Sequence, residues 1–132
     1  VAECGKPKQK RKPLLDALQE AARHFSFQSF DLTFDTTARF SRDGRAFVAI
    51  ADEASQQRVN ELRIALADAQ RWVGLSGSRG NHVAHLTLGY GDTLPEARRP
   101  IPPFRFHVGA VDLVESRTSQ SEHVRRDRWV LE

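Results

Sequence analysis

The sequence predicts an α+β domain with antiparallel sheets. Three observations point there. Only two stretches, residues 14–25 and 54–71, carry a helical period. The strand-like segments come in consecutive groups around them, which favours paired antiparallel strands over βαβ units. Asp43-Gly44 is a hairpin dipeptide set between two apolar strands.

Each element follows from its residues. The segment 5–13 (GKPKQKRKP) has no period and two prolines, and reads as a loop. Pro13 suits the first turn of a helix. Leu14, Leu15, Leu18, Ala22 and Phe25 then form one helical stripe over 14–25. Phe30, Leu32 and Phe34 alternate with Asp31, Thr33 and Asp35, as in a half-buried strand. Ala46 to Ala51 is a second, apolar strand. Val59, Leu62, Leu66 and Ala69 place a helix over 54–71. GLSGSRG (74–80) is loop, and Val83 to Tyr90 is strand. The prolines at 95, 100, 102 and 103 exclude a regular element over 91–103. Phe104 to Ser116 reads as one long strand bulged near Gly109-Ala110, and Val124 to Leu131 as a last strand.

Composition bounds the function. The 132 residues suffice for one domain with a core. No run of about 18 apolar residues exists to cross a membrane as a helix. Cys4 is the single cysteine, so no internal disulfide or cysteine-based zinc site can form, and a reducing, cytoplasmic setting fits. Residues 1–13 carry five basic side chains and one acid, whereas the remaining 119 carry 15 basic and 16 acidic. The basic character therefore belongs to a loop or tail over 1–13. It reads either as a phosphate contact or as a solvated charge run. The chain has no methionine and opens at Val1, which leads us to expect that it begins inside a longer protein.

The chemistry-bearing motif is His85-Leu86-Thr87 within VAHLTLGY. On a strand, residues two apart share a face. Strict alternation puts His85 and Thr87 with Val83 and Gly89 on an open face, and Ala84, Leu86, Leu88 and Tyr90 toward a core. An imidazole exchanges protons near neutral pH, and a threonine hydroxyl donates to an anionic oxygen. The pair suits a phosphate ester. Other motifs carry less. His82-x-x-His85 lacks a third metal ligand, and residues three apart face opposite ways on a strand. GLSGSRG lacks the Gly-Lys-Ser/Thr ending of a phosphate-cradling loop and precedes a strand. No Gly-x-Ser-x-Gly elbow is present. His107 borders the sheet, His123 sits in a charged stretch, and Trp72 and Trp129 are core or rim anchors.

HLTL, the proline-rich gap, FHVGAVDLVES and the closing RWVLE together resemble the two-histidine phosphoesterases. The upstream LLDALQEAARHF, FDLTFD, the Phe40 turn, RAFVAIAD and the helix 54–71 fit the same order of elements. The resemblance covers about residues 5–132 and runs most closely to the bacterial RNA 2′,3′-cyclic phosphodiesterases, also called 2′-5′ RNA ligases (LigT-like). It implies a single two-lobed domain, with antiparallel sheets lining a central cleft and helices outside. It also implies metal-free catalysis without a cofactor. One histidine activates water against a 2′,3′-cyclic phosphate and another protonates the leaving ribose oxygen, giving a 2′-phosphate, with 2′-5′ joining as the reverse. The implied partner is RNA or a nucleotide carrying a 2′,3′-cyclic phosphate. No membrane is implied, and the chain would act as a monomer.

His85 and Thr87 match the second His-x-Thr motif and are the catalytic candidates. Arg79, at the border of the implied cleft, and Tyr90 are the substrate-binding candidates. The first motif should precede the first helix, yet residues 1–13 hold no histidine, so it is expected upstream of Val1. The other His-x-Ser, His24-Phe25-Ser26, falls on the predicted helix, where positions two apart diverge. Ala84 stands where the family often has proline. The alternative reading is a non-catalytic RNA- or nucleotide-binding module with a degenerate half site.

Overall fold

The structure, a computed structural model, describes residues 11–40, 44–77, 82–91, 98–117 and 122–132. Eight elements follow one another: α1 (Arg11–Arg23), β1 (Phe30–Phe40), β2 (Ala46–Ala51), α2 (Glu53–Trp72), β3 (His85–Tyr90), β4 (Arg99–Val108), β5 (Ala110–Arg117) and β6 (Glu122–Val130). The fold is α+β, with antiparallel β1–β2, β2–β3 and β5–β6 pairings. A four-stranded sheet runs β3-β2-β1-β4, and β5-β6 form a second sheet. No helix among the described residues is long and apolar enough to cross a membrane.

Two compact units emerge. One draws on Val1–Phe30, Glu61–Gly80 and Val108–Glu132, the other on Asp31–Asn60 and Asn81–His107. The second unit holds the four-stranded sheet, and each face of that sheet has its own apolar cluster. Ala38, Ala46, Val48 and Ile50 form one with Phe40 beside them. Phe34, Ala49 and Ala51 form the other, with Leu32 and Ala84. Phe34 and Ala38 lie on opposite faces although four residues separate them. The reason is a bulge: Phe34 pairs with Ala51 and Thr36 with Ile50, leaving Asp35 as the extra residue. Helix α2 starts where Asp52 caps it, its carboxylate accepting from the Ser55 amide at 2.8 Å. The Ser55 hydroxyl in turn accepts from the Thr33 amide at 2.8 Å, fastening the helix start to β1.

In the first unit, β5 and β6 are laced by cross-strand ion pairs. Arg128 grips Asp112 through Nε at 2.7 Å and Nη2 at 3.1 Å, and Arg126 pairs with Glu115. The Arg128 hydrogen bond holds the Asp112 carboxyl below its ordinary range. Beyond β6, Leu131 is buried, and Glu132 exchanges backbone hydrogen bonds with Phe27 and Ser29. Gly77 lies against α2 so closely that an added Cβ would stand 2.5 Å from the Ala67 carbonyl oxygen and 2.7 Å from its Cα. Backbone cannot give way cheaply, so Gly77→Ala is expected to lower unfolding free energy by roughly 1–3 kcal/mol, read from urea denaturation. An unchanged midpoint would contradict this packing.

Several expectations need correction. The first helix runs from Arg11 to Arg23, so it takes in residues 11–13 of the expected loop and ends two residues before the expected Phe25. The prolines do not exclude a strand: β4 begins at Arg99 and carries Pro100, Pro102 and Pro103. It lies at the sheet edge, the position in a sheet where proline is tolerated. The long strand expected over 104–116 is two strands in different sheets, parted at Gly109. Gly44 has φ 66°, the left-handed conformation the turn dipeptide requires, while Asp43 lies outside the described residues.

Candidate active site on strand β3

Strand β3 pairs with β2 through His85–Ile50, Leu86–Ala49, Thr87–Val48, Gly89–Phe47 and Tyr90–Ala46. The register skips Leu88, which is therefore a bulge residue. Cross-strand partners share a face, and Ala46, Val48 and Ile50 share one by alternation. His85, Thr87 and Tyr90 consequently stand on a single face, that of the Ala38–Val48 cluster. This corrects the alternation argument for two residues. Tyr90 does not point with Leu86 but joins the histidine, and Gly89 pairs with Phe47 on the opposite face. The expected burial fails as well. Of the residues assigned to a core, Ala84 alone packs against a cluster, whereas Leu86, Leu88 and Tyr90 are 45%, 50% and 75% exposed. Among the described residues strand β3 lies at the edge of the sheet, so its side chains have neighbours on one flank.

The His85 ring meets Phe40 edge-on, with centroids 5.0 Å apart. Phe40 stands on the Ala46 row and His85 on the Ile50 row. Their contact across rows shows that this face curls into a concavity. The imidazole is also anchored by its own backbone, with Nδ1 2.8 Å from the Val83 carbonyl oxygen. A carbonyl can only accept, so Nδ1 carries the proton. In the neutral ring Nε2 is then the free base, pointing its lone pair away from the strand. Thr87 is exposed beside it. The arrangement offers one proton-exchanging nitrogen, one hydroxyl and one phenol on an open face. That set can receive an anionic ester and move a proton at its edge.

The residue before the histidine is clamped by α2. The Gln56 Oε1 accepts from the Ala84 amide at 2.7 Å, while its Nε2 donates to the carbonyls of Ala84 at 3.1 Å and Ala51 at 3.2 Å. Sequence reasoning missed Gln56, and a glutamine on a helix gives no signal by itself. It also missed the bond between His107 Nδ1 and Asp31 Oδ1, 2.7 Å long, which joins β4 to β1 beside an open depression lined by Thr33, Pro103 and Arg105. Alternation of the two strands could have suggested it only if their adjacency were known.

The other candidates are placed as follows. Arg79 lies outside the described residues, as do Lys6, Lys8 and Lys10, while Lys12 is exposed on α1. His24 and Ser26 do not diverge on a helix. They follow α1 and line one groove of the first unit with Phe25, Asp68 and Trp72. His24 lies tilted against Trp72 at 5.4 Å, and the Ser26 hydroxyl donates to Glu132 at 3.2 Å. Trp72 is a rim residue, 73% exposed. Trp129 packs against Phe25 with centroids 5.7 Å apart. Among the described residues, no group of three or more His, Cys, Asp or Glu could hold a metal ion.

The family model of the 2′-5′ RNA ligase superfamily matches residues 1–120. The chain belongs to this superfamily. Two solved structures share the superfamily member's fold. One is the TT0787 protein of Thermus thermophilus, 18% identical, with a TM-score of 0.60 over 94% of this chain and 73% of that one. The other is a protein described as a phosphoesterase, 20% identical, with a TM-score of 0.58 over 93% of this chain and 71% of that one. No curated protein matches significantly.

Proposed function

We propose that this member of the 2′-5′ RNA ligase superfamily is an RNA 2′,3′-cyclic phosphodiesterase of the bacterial LigT-like kind, with His85 and Thr87 as catalytic residues. Membership in the superfamily supports a phosphoesterase-type activity and an RNA substrate. The single observation that carries the finer reading is the anchored imidazole, with Nδ1 held by Val83 and Nε2 free on an open face shared with Thr87 and Tyr90. A cyclic phosphate needs a proton removed from attacking water and one delivered to the leaving ribose oxygen. A new P–O bond forms to water, the P–O3′ bond breaks, and O3′ leaves as a hydroxyl, giving a 2′-phosphate. The free Nε2 handles one of these two protons. The Thr87 hydroxyl donates to a non-bridging phosphate oxygen, and the exposed phenol ring of Tyr90 offers a surface for the terminal base. Arg79 is retained as a candidate contact to the phosphate or its neighbour. No metal or cofactor enters the scheme, and we picture a single two-lobed domain acting as a cytoplasmic monomer.

The test is turnover of RNA oligonucleotides ending in a 2′,3′-cyclic phosphate by the intact protein, in EDTA, with the product identified by phosphorus NMR. A 2′-phosphomonoester is expected. A 3′-phosphomonoester, or activity lost in EDTA and restored by a divalent cation, would overturn the scheme. The second reading is a non-catalytic RNA- or nucleotide-binding module with a degenerate half site: among the described residues His85-Leu86-Thr87 is the one His-x-Thr/Ser motif on a strand, since His24 and Ser26 follow α1. Saturable, salt-sensitive binding of the same oligonucleotide without turnover would decide for it.

A further inference from the structure

We infer that Gln56 is a positioning residue that sets the proton-carrying nitrogen of His85. The inference rests on the reading of His85 as the proton-exchanging group, but its test does not depend on activity. Three hydrogen bonds carry it. The Gln56 amide faces the Ala84 backbone as a neighbouring strand would, accepting from its N–H at 2.7 Å and donating to its C=O at 3.1 Å. A further donation to Ala51 at 3.2 Å bridges the end of β2. The Ala84 carbonyl already receives the Ala51 amide at 3.1 Å, so the main-chain ladder is closed without the glutamine. What Gln56 adds, on this same β2-facing flank, is a partner for the Ala84 amide. Strand β3 is an edge strand, and the Ala84 amide is satisfied by this one side chain. Val83, whose carbonyl holds His85 Nδ1, is the residue next to that clamp.

The chain of dependence is short. Asp52 and Ser55 fix the first turn of α2, and that turn presents Gln56. Gln56 fixes the peptide of Ala84, and with it the direction of the Val83 carbonyl. That carbonyl selects the Nδ1-protonated tautomer, leaving Nε2 for the substrate. An imidazole free of such an acceptor distributes its proton over both nitrogens. Without the clamp, part of the population presents an N–H where the base should be. A carboxylate at this position keeps the acceptor for the Ala84 amide, loses both donations and faces two carbonyl oxygens. Gln56→Glu therefore separates the donor function from the shape of the side chain.

The experiment is nitrogen NMR of the neutral His85 imidazole, at alkaline pH, in the intact chain, for wild type, Gln56→Glu and Gln56→Ala. Wild type is expected to be predominantly Nδ1-protonated. Both variants should shift toward the Nε2-protonated tautomer, which a neutral histidine side chain favours in water, with the amide spectrum of β2 and of Leu86–Tyr90 retained. In turnover, kcat should fall about tenfold or more with KM unchanged, as expected for a misoriented group. A tautomer population identical in all three proteins overturns the inference. So does a mixed population in wild type. Should the variants fail to fold, amide exchange in wild type decides: Ala84 must be protected against exchange, and a fast-exchanging Ala84 amide refutes the clamp.

Discussion

Replacing His85 by alanine is expected to lower kcat on a 2′,3′-cyclic phosphate end by about 10²–10⁴-fold, the range of a lost acid–base group. The effect should fall on kcat and kcat/KM together, because the proton moves only in the transition state. Stability should hardly change. His85 is exposed on an edge strand, and its main contacts are the Val83 carbonyl and the rim of Phe40. Intact folding with lost turnover would separate a chemical role from a structural one. Equal rates for wild type and His85→Ala would end the catalytic reading of this strand.

The second large effect concerns stability and has the opposite sign. Arg63 on α2 is 4% exposed, and its Nε and Nη2 are buried with no hydrogen-bond partner among the described residues. A buried, unpartnered polar group costs roughly 1–3 kcal/mol, and a charged one more. Methionine has a similar unbranched stem and a similar helix propensity, without the donors. Arg63→Met is therefore expected to raise unfolding free energy by about 1–3 kcal/mol, seen as a higher urea midpoint with an unchanged slope. A loss of stability would show that the guanidinium meets an acceptor in solution.

These two residues illustrate what the sequence discloses. The shared face of His85 and Thr87 was legible because period two places them side by side on a strand, and both pair with the Val48–Ile50 face of β2. Both helices were legible in their stripes, where Leu62, Leu66 and Ala69 are buried as expected. Arg63, Ala67 and Gln70 are buried too, and no polarity pattern announces an arginine in that position. The sequence places Tyr90 on the opposite face because a bulge is a property of two strands together, and one strand read alone can only alternate. The β4 prolines read as breakers in the sequence because edge or centre is decided by topology, which periodicity does not contain. Gln56 acts through backbone atoms 28 residues away in sequence, and backbone atoms carry no residue signature.

The Leu88 bulge has a consequence beyond orienting Tyr90. An uncovered edge strand with apolar side chains is a template for another chain's strand, and so a route to aggregation. Among the described residues nothing pairs with the outer flank of β3, and the exposed Leu86 and Leu88 make it such a strand. The bulge interrupts its regular donor and acceptor spacing and increases local twist, so an incoming flat strand cannot zip along it. Removing Leu88 would keep Thr87 and Tyr90 on one face while straightening the edge. The chemistry of the face would survive, and the colloidal stability of the protein would not.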